Sequence, residues 1–106
     1  LERGRFMRAP MVIAVISSIK SSKAPEWEQQ LSAGAACYNT CLAANALGFG
    51  TCWLTEWVAY SPSVHAALNL GAKERVAGFL YIGRVADKPD ERERPSLADI
   101  VTHWPA

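Results

Sequence analysis

The chain reads Ser32-Ala33-Gly34-Ala35-Ala36-Cys37 and, shortly after, Gly48-Phe49-Gly50-Thr51-Cys52-Trp53-Leu54-Thr55. The first stretch lies in a predicted helix over residues 26–47, where alanine and glycine separate bulkier apolar side chains and few charges follow Glu28. A helix that is apolar on all sides is typical of a buried position. Small side chains let another backbone approach closely, so we predict a core helix that crosses a second helix, in this chain or in another subunit.

The second stretch predicts the end of that helix and the start of a strand. Gly48 is suited to the left-handed cap that ends many helices, and residues 50–55 are typical of a short buried strand. Glycines with the Gly48-Phe49-Gly50 spacing also occur in phosphate-binding loops, where they follow a strand and open a helix. Here they follow a helix and open a strand, so the pattern favours a helix ending.

The remaining elements are predicted from periodicity and from turn residues. Residues 11–16 and 76–85 are apolar and rich in β-branched or aromatic side chains, which predicts two further strands. Pro25 fits the first turn of the long helix, and Ser61-Pro62 predicts a second helix that runs to about Leu70 and stops at Gly71. Residues 17–24 and 86–95 are polar loops, and residues 96–104 predict a short helix or an extended arm.

Three strands and two helices predict an α+β or α/β layer domain. One chain of this size would leave much of the long helix exposed to water, so something else should cover it. A leucine in place of Gly34 would overpack the expected helix crossing.

Composition excludes several classes of function. The 106 residues carry 11 basic and 10 acidic side chains, a net charge of +1, which predicts no nucleic-acid and no membrane-surface partner. No apolar run approaches the ~20 residues that span a bilayer, and the run at 11–16 is too short for a signal peptide. Three cysteines form no disulfide framework, so a cytoplasmic location is expected. Because the chain opens on Leu1, we expect a fragment or a processed product.

Three cysteines and a histidine could form a thiol or metal site. Cys37 and Cys41 lie four residues apart on one predicted helical face, Cys52 follows the helix, and His65 is the only candidate for a fourth ligand. Metal sites favour closer pairs such as C-x-x-C, and buried free cysteines behave as small hydrophobes. The spacing therefore favours packing, with a thiol or metal site as the weaker alternative.

No other group of residues has the pattern of a self-sufficient catalytic site. His65 and His103 lack a serine or cysteine elbow, and no carboxylate pair stands out, so acyl transfer and glycoside hydrolysis have no visible residues. Arg92-Glu93-Arg94 favours a solvated loop over an anion site. Five aromatic residues could stack on an aromatic ligand, although core and interface packing is favoured: Trp27, Trp53, Trp57, Tyr60 and Trp104.

A series of motifs, in order and spacing, resembles the small single-domain branch of the nitroreductase family. The motifs are Arg8-Ala9-Pro10, Trp27-Glu28-Gln29, Ser32-Ala33-Gly34, Ala46-Leu47-Gly48-Phe49-Gly50 before Trp53, Ser61-Pro62, Gly78-Phe79-Leu80-Tyr81-Ile82-Gly83 and Ile100-Val101-Thr102. The resemblance covers nearly the whole chain, which looks like the C-terminal portion of one nitroreductase-like domain over residues 1–106.

This resemblance implies a fold, an activity and a set of cofactors. Members are α+β homodimers with a long central helix at the subunit contact and FMN at the interface. They transfer hydride from NAD(P)H through the flavin to nitroaromatic or quinone-like small-molecule acceptors. In such an enzyme the cofactor carries the chemistry, and the protein supplies binding and orientation.

The resemblance also implies site residues. Trp53, Leu54 and Thr55 match the strand that contacts the flavin, largely through its backbone. Arg92 and Arg94 match a basic pair near the FMN phosphate. The segment associated with the nicotinamide cofactor is matched by Ala43, Ala44, Asn45, Ala46, Leu47 and Gly48. No catalytic side chain and no metal ligand is implied.

The sequence departs from the family pattern at two points. The Arg-Arg-Ser type motif that grips the FMN phosphate, near the start of family members, has no counterpart among these 106 residues. Leu54 stands where similar proteins carry a charged residue. A second interpretation is therefore a non-catalytic remnant or dimerisation module without flavin turnover.

Overall fold

The structure is a computed structural model that describes residues 7–105. Its elements are β1 (Met11–Ser18), α1 (Glu26–Ala46), β2 (Gly50–Leu54), a 3-10 helix (Trp57–Tyr60), α2 (Pro62–Ala67), β3 (Glu74–Gly83) and α3 (Leu97–Ile100). The predicted strands and the two longer predicted helices are all present, within a few residues of their expected bounds. The 3-10 helix was not predicted, and α2 ends before Leu70 because Asn69 takes a positive φ of 56°.

The three strands form one antiparallel sheet in the order β1-β3-β2. Because both pairings are antiparallel, the α+β alternative is confirmed. The β1–β3 register skips Ala77, since Val15 pairs with Gly78 and Ile16 pairs with Val76. This β-bulge puts Val76 on the same side of the sheet as Phe79 and Tyr81.

The sheet is covered on both faces by different elements. On one face, Phe79, Tyr81 and Val76 form a buried cluster with Val58 and Ala59 of the 3-10 helix. On the other face lies α1, whose Cys37 is completely buried together with Leu80 of β3. The sheet is therefore the central layer between α1 and the 3-10 helix.

Helix α1 begins and ends as its sequence predicts. Pro25 is the residue before the first helical turn, with Glu26 and Glu28 near the positive end of the helix dipole. At the other end Gly48 has a φ of +94°, the left-handed conformation expected after a helix. The side-chain amide of Asn45 donates to the carbonyl of Phe49 (2.9 Å) and so joins the helix end to β2.

Within residues 7–105, α1 is not buried on all sides. Only Cys37 and Ala44 of the helix are buried. Four large side chains on one side of it are 68%, 54%, 57% and 48% exposed, and we call them the outer stripe: Trp27, Leu31, Tyr38 and Leu42. The expectation that one chain leaves much of this helix uncovered is confirmed.

Gly34 has a neighbour in its own chain. A Cβ built at this position would meet Cη2 of Trp53 at 3.9 Å, in the same chain. Gly34 is half-buried beside Trp53, and its crossing with a second helix stays a prediction. A leucine there would press on Trp53 as well as on any helix that crosses at this point, so a loss of stability alone would not identify a subunit contact.

The chain after β3 extends away from these layers. All residues from Arg84 to Pro105 are exposed, including the predicted loop at 86–95. The arm predicted at 96–104 contains one helical turn, α3, with Leu97 and Ile100 mostly exposed. Within residues 7–105, no helix combines the length and the apolar character needed to cross a bilayer.

Candidate functional site at the outer end of strand β2

Strand β2 is an edge strand that carries Trp53 and Leu54 and is followed by Thr55. Its residues pair with β3 on one side, from Gly50 opposite Gly83 to Leu54 opposite Phe79. In the described part of the chain, no strand pairs with its other side. Alternate backbone N–H and C=O groups of an antiparallel edge strand point away from the sheet, so β2 offers backbone hydrogen bonds to a ligand or a partner.

The indole of Trp53 is held between β3 and α1. Its Nε1–H donates to the carbonyl of Ala77 at 3.2 Å, at the bulge of β3. The ring lies directly on Gly78, where a Cβ would come 2.1 Å from Nε1, and it approaches Gly34 of the helix. Trp53 remains 41% exposed, so one part of the ring is fixed by the protein and another part is open to solvent.

The side chain of Leu54 points to the other face of the sheet. It packs against the cluster of Val58, Ala59 and Phe79. An apolar residue therefore suits this position. At the edge of β2, Leu54 presents its backbone rather than its side chain.

A cleft of about 280 Å³ opens beside Thr55. Polar side chains from three other elements line it, including Ser17 of β1, Gln30 of α1 and Arg75 of β3, with Tyr60 at its border. Ser17 is 5% exposed, and its hydroxyl has no hydrogen-bond partner among the described residues. No sequence pattern pointed to Ser17, Gln30 or Arg75 as site residues. Ser17 and Arg75 meet because they are paired in the β1–β3 register, which no local pattern reveals.

The segment from Ala43 to Gly48 lies at the opposite end of β2. Ala44 is buried, and the Asn45 amide also reaches the hydroxyl of Thr51 at 3.3 Å, so these two side chains serve the helix ending. Leu47 is mostly exposed. At ~3.4 Å per residue, the five residues of β2 separate this segment from Thr55 by roughly 17 Å. The two predicted groups thus lie at the two ends of one strand, not in one pocket.

Arg92 and Arg94 lie on the exposed chain that follows β3. The Nε of Arg94 donates to Glu91 at 2.9 Å, within the same segment. Neither arginine lines the cleft beside Thr55. Within one chain the structure does not bring this basic pair to Trp53.

The cysteines do not form a common site. Cys37 is on the side of α1 that packs on the sheet. Cys52 precedes Trp53 in β2, so its side chain points to the opposite face of the sheet. Burial raises the pKa of Cys37 above the ordinary value of 9.0, which keeps its thiol protonated. His65 Nε2 is hydrogen-bonded to the carbonyl of Ala59 at 2.8 Å. Over residues 7–105, no group of three or more His, Cys, Asp or Glu side chains could hold a metal ion.

Most of the aromatic residues that could stack on a ligand are not packed in the core of the described chain, and their packing at an interface stays a prediction. Trp27, Trp57 and Trp104 are mostly exposed, and Tyr60 is exposed as well. Trp53 packs most closely, between β3 and α1. Among these five residues, Trp53 on the predicted flavin strand is the one held between two elements of the chain.

Comparison with known proteins links this arrangement to a family. A sequence model of the nitroreductase family matches residues 1–84. A protein of Escherichia coli strain K12 named "Putative NAD(P)H nitroreductase YdjA" is 39% identical over 82 residues, which cover 76% of this chain and 45% of that protein. A Haemophilus influenzae protein named "Putative NAD(P)H nitroreductase" is 38% identical over 100 residues, 91% of this chain and 54% of that one. The chain spans about half the length of the curated relatives it matches.

Solved structures have the same fold. A nitroreductase-like family protein of Bacillus cereus superposes with a TM-score of 0.85 at 22% identity, over 99% of this chain and 56% of that one. A structure described as a "putative nitroreductase in complex with FMN" from Desulfovibrio desulfuricans superposes with a TM-score of 0.72 at 29% identity, over 90% of this chain and 55% of that one. With its long helix on a small antiparallel sheet and its match over residues 1–84, the chain belongs to the nitroreductase family.

Proposed function

We propose that this chain is the C-terminal portion of an FMN-dependent oxidoreductase domain that takes hydride from NAD(P)H and reduces nitroaromatic or quinone-like acceptors in the cytoplasm. The observation that carries the proposal is the free edge of β2, where the indole of Trp53 is fixed and the cleft beside Thr55 begins. Family membership supports the reaction class, and the similarity to a structure solved with FMN supports the cofactor.

The residues at this edge fit the ring system of a flavin. A flavin ring is flat and carries hydrogen-bond donors and acceptors along one edge, which backbone groups of an edge strand can match. The cleft beside Thr55 adds the amide of Gln30 and the hydroxyl of Ser17, which has no hydrogen-bond partner in residues 7–105. In this proposal Trp53, Leu54 and Thr55 orient the ring through their backbone, and the packing of Trp53 keeps that backbone in place.

The phosphate of FMN needs cationic side chains from elsewhere. Arg92 and Arg94 are the proposed partners, since guanidinium groups bind phosphate through paired hydrogen bonds. They lie on an exposed segment away from the cleft of their own chain, so in the proposal they reach the phosphate in a homodimer. The exposed outer stripe of α1 supports such an assembly, because apolar side chains of this size favour a covering surface.

When bound, FMN would supply the hydride-transfer chemistry between NAD(P)H and the acceptor. The chain's own residues would bind and orient the two cofactors. The exposed Leu47 and Gly48, between α1 and β2, are the proposed contacts of the nicotinamide cofactor within residues 43–48. Ala44 and Asn45 hold the helix end that presents them.

The first experiment is an absorbance spectrum of the purified chain before and after addition of FMN and desalting. Retained flavin absorbance that is bleached by NAD(P)H under anaerobic conditions is the expected result. Retained absorbance without bleaching would contradict hydride transfer but not flavin binding. A chain that retains no flavin would contradict the proposal for this polypeptide.

Single variants test the basic pair against a matched control. Arg92→Gln and Arg94→Gln each remove one positive charge and should weaken FMN retention. Lys88→Gln removes the same charge from the same exposed segment and should leave retention unchanged. Equal losses in all three variants would show a general charge effect and contradict a phosphate contact.

A second candidate function is a dimerisation module without flavin turnover. The outer stripe favours it, since four large apolar side chains lie exposed on one helix. It predicts a stable dimer that remains colourless after incubation with FMN. The absorbance experiment, combined with a mass measurement in solution, separates the two functions.

A further inference from the structure

Glu56 has a backbone conformation that residues other than glycine rarely adopt. Its φ is 55° and its ψ is −176°, a region in which a Cβ is strained. The cause lies in the connection it makes. Only Thr55 and Glu56 link β2 to the 3-10 helix, whose Val58 and Ala59 must reach the buried cluster under the sheet.

Arg8 holds the side chain of this strained residue. Its Nη2 donates to the Glu56 carboxylate at 2.9 Å. The same guanidinium lies 5.1 Å from the ring centroid of Tyr81 and donates to the Tyr81 hydroxyl at 3.5 Å. Hydrogen bonds to Tyr81 and Glu56 raise the pKa of Arg8, so it stays charged at all physiological pH values. Arg8 thereby connects the turn after β2 to the central strand β3.

We propose that Glu56 is a positioning residue: its ion pair with Arg8 keeps the turn in the glycine-like conformation and so fixes Thr55 at the mouth of the cleft. The ligand-facing part of this inference rests on the proposed function. A relaxed Glu56 would rotate the peptide that joins it to Thr55, and the backbone groups offered at the end of β2 would move with it. In this proposal Arg8 and Glu56 do not contact the cofactor, and they affect its binding only through the backbone of Thr55.

Two substitutions at one position test the strain without any ligand. Glu56→Ala and Glu56→Gly both remove the ion pair, but only glycine adopts this conformation freely. We expect the glycine variant to melt about 5 °C above the alanine variant. At a position with negative φ the alanine variant melts at the higher temperature, because glycine loses more backbone freedom on folding. An alanine variant as stable as the glycine variant, or more stable, would overturn the inference.

The role of Arg8 is tested by a double-mutant cycle. Arg8→Gln should lower the Tm of the unchanged chain more than it lowers the Tm of the Glu56→Gly variant, since in the latter no strained side chain remains to be held. Equal shifts in both backgrounds would show that Arg8 does not act through Glu56.

The affinity for FMN distinguishes a positioning role of Glu56 from a role in stability alone, which would leave the affinity of the folded variants unchanged. At a temperature where all variants are folded, Glu56→Ala should weaken FMN binding by about tenfold, and Glu56→Gly by much less. Equal affinities for both variants would overturn the positioning role.

If the unchanged chain binds no FMN, the proposed function fails on its own. Amide hydrogen exchange then tests the positioning role, and it should be faster at Thr55 and Trp57 in Glu56→Ala than in Glu56→Gly. Equal exchange in the two variants would overturn the role in that case.

Discussion

At the scale of single residues, the pair of Gly78 and Trp53 shapes the candidate site. Trp53 occupies the space in which any side chain at position 78 would lie, and its N–H is bonded to the carbonyl of Ala77 beside it. Glycine in the interior of a strand usually weakens the strand. Here it allows the Nε1 side of a large aromatic ring to lie against β3, so the weakness is offset by the packing of the indole.

Gly78→Ala should therefore destabilise the chain by about 1–3 kcal/mol, because its Cβ would meet Trp53 Nε1 at 2.1 Å and displace the ring. Urea denaturation measures the loss, and a shift of tryptophan emission reports the displacement. Gly34→Ala is the control, since its Cβ lies 3.9 Å from the same ring, an ordinary contact distance. If Gly78→Ala is as stable as this control, the close contact does not exist in solution.

At the scale of elements, the ending of α1 decides where β2 begins. The Phe49 N–H returns to the carbonyl of Ala44 at 3.0 Å, and Gly48 turns the chain with its φ of +94°. A Cβ at Gly48 would have no atom within 4 Å, so the only obstacle to a side chain there is its conformation. The turn determines the direction of β2 and hence the position of its outer end.

Gly48→Ala should cost about 1–2 kcal/mol of unfolding free energy, because an alanine in the left-handed region is strained. Gly48→Asn should cost less, since asparagine tolerates this conformation. Thermal and urea denaturation of both variants give the comparison. Alanine and asparagine variants of equal stability would mean that the helix ends differently from the structure.

At the scale of the whole molecule, the outer stripe of α1 and the extended chain after β3 leave large apolar side chains in water. In the described part of the chain, the sheet covers only the side of the helix that carries Cys37 and Ala44. Water-exposed apolar surface of this extent favours association. The proposed homodimer would cover it, and the outer stripe is the surface where the contact is expected.

Replacing Tyr38 and Leu42 together by lysine should convert the proposed dimer to a monomer, because two charges would be buried in an apolar contact. Sedimentation equilibrium measures the mass. Asn39→Lys on a neighbouring exposed position adds one charge outside the stripe and should leave the dimer intact. The contact would lie elsewhere if the double variant kept the mass of the unchanged chain.

Several features followed from the sequence alone because they depend on neighbouring residues. Local conformation is encoded by the apolar runs at 11–16 and 76–85, by Ser61-Pro62 at the start of α2 and by Gly48 after α1. The corresponding strands and helices are present. The family resemblance came from the order of short motifs, and the match over residues 1–84 confirms it. Trp53 and Thr55 were placed at the end of a strand for the same local reasons.

Other features were decided only by the tertiary structure, because they depend on which surfaces meet. Strand register is set by long-range packing. It produces the β-bulge at Ala77 and pairs Ser17 with Arg75, and both of these residues line the cleft. The exposure of the outer stripe shows that the described residues do not cover this apolar helix on all sides. The strain at Glu56 follows from the short connection between β2 and a buried 3-10 helix, and no local preference of glutamate predicts it.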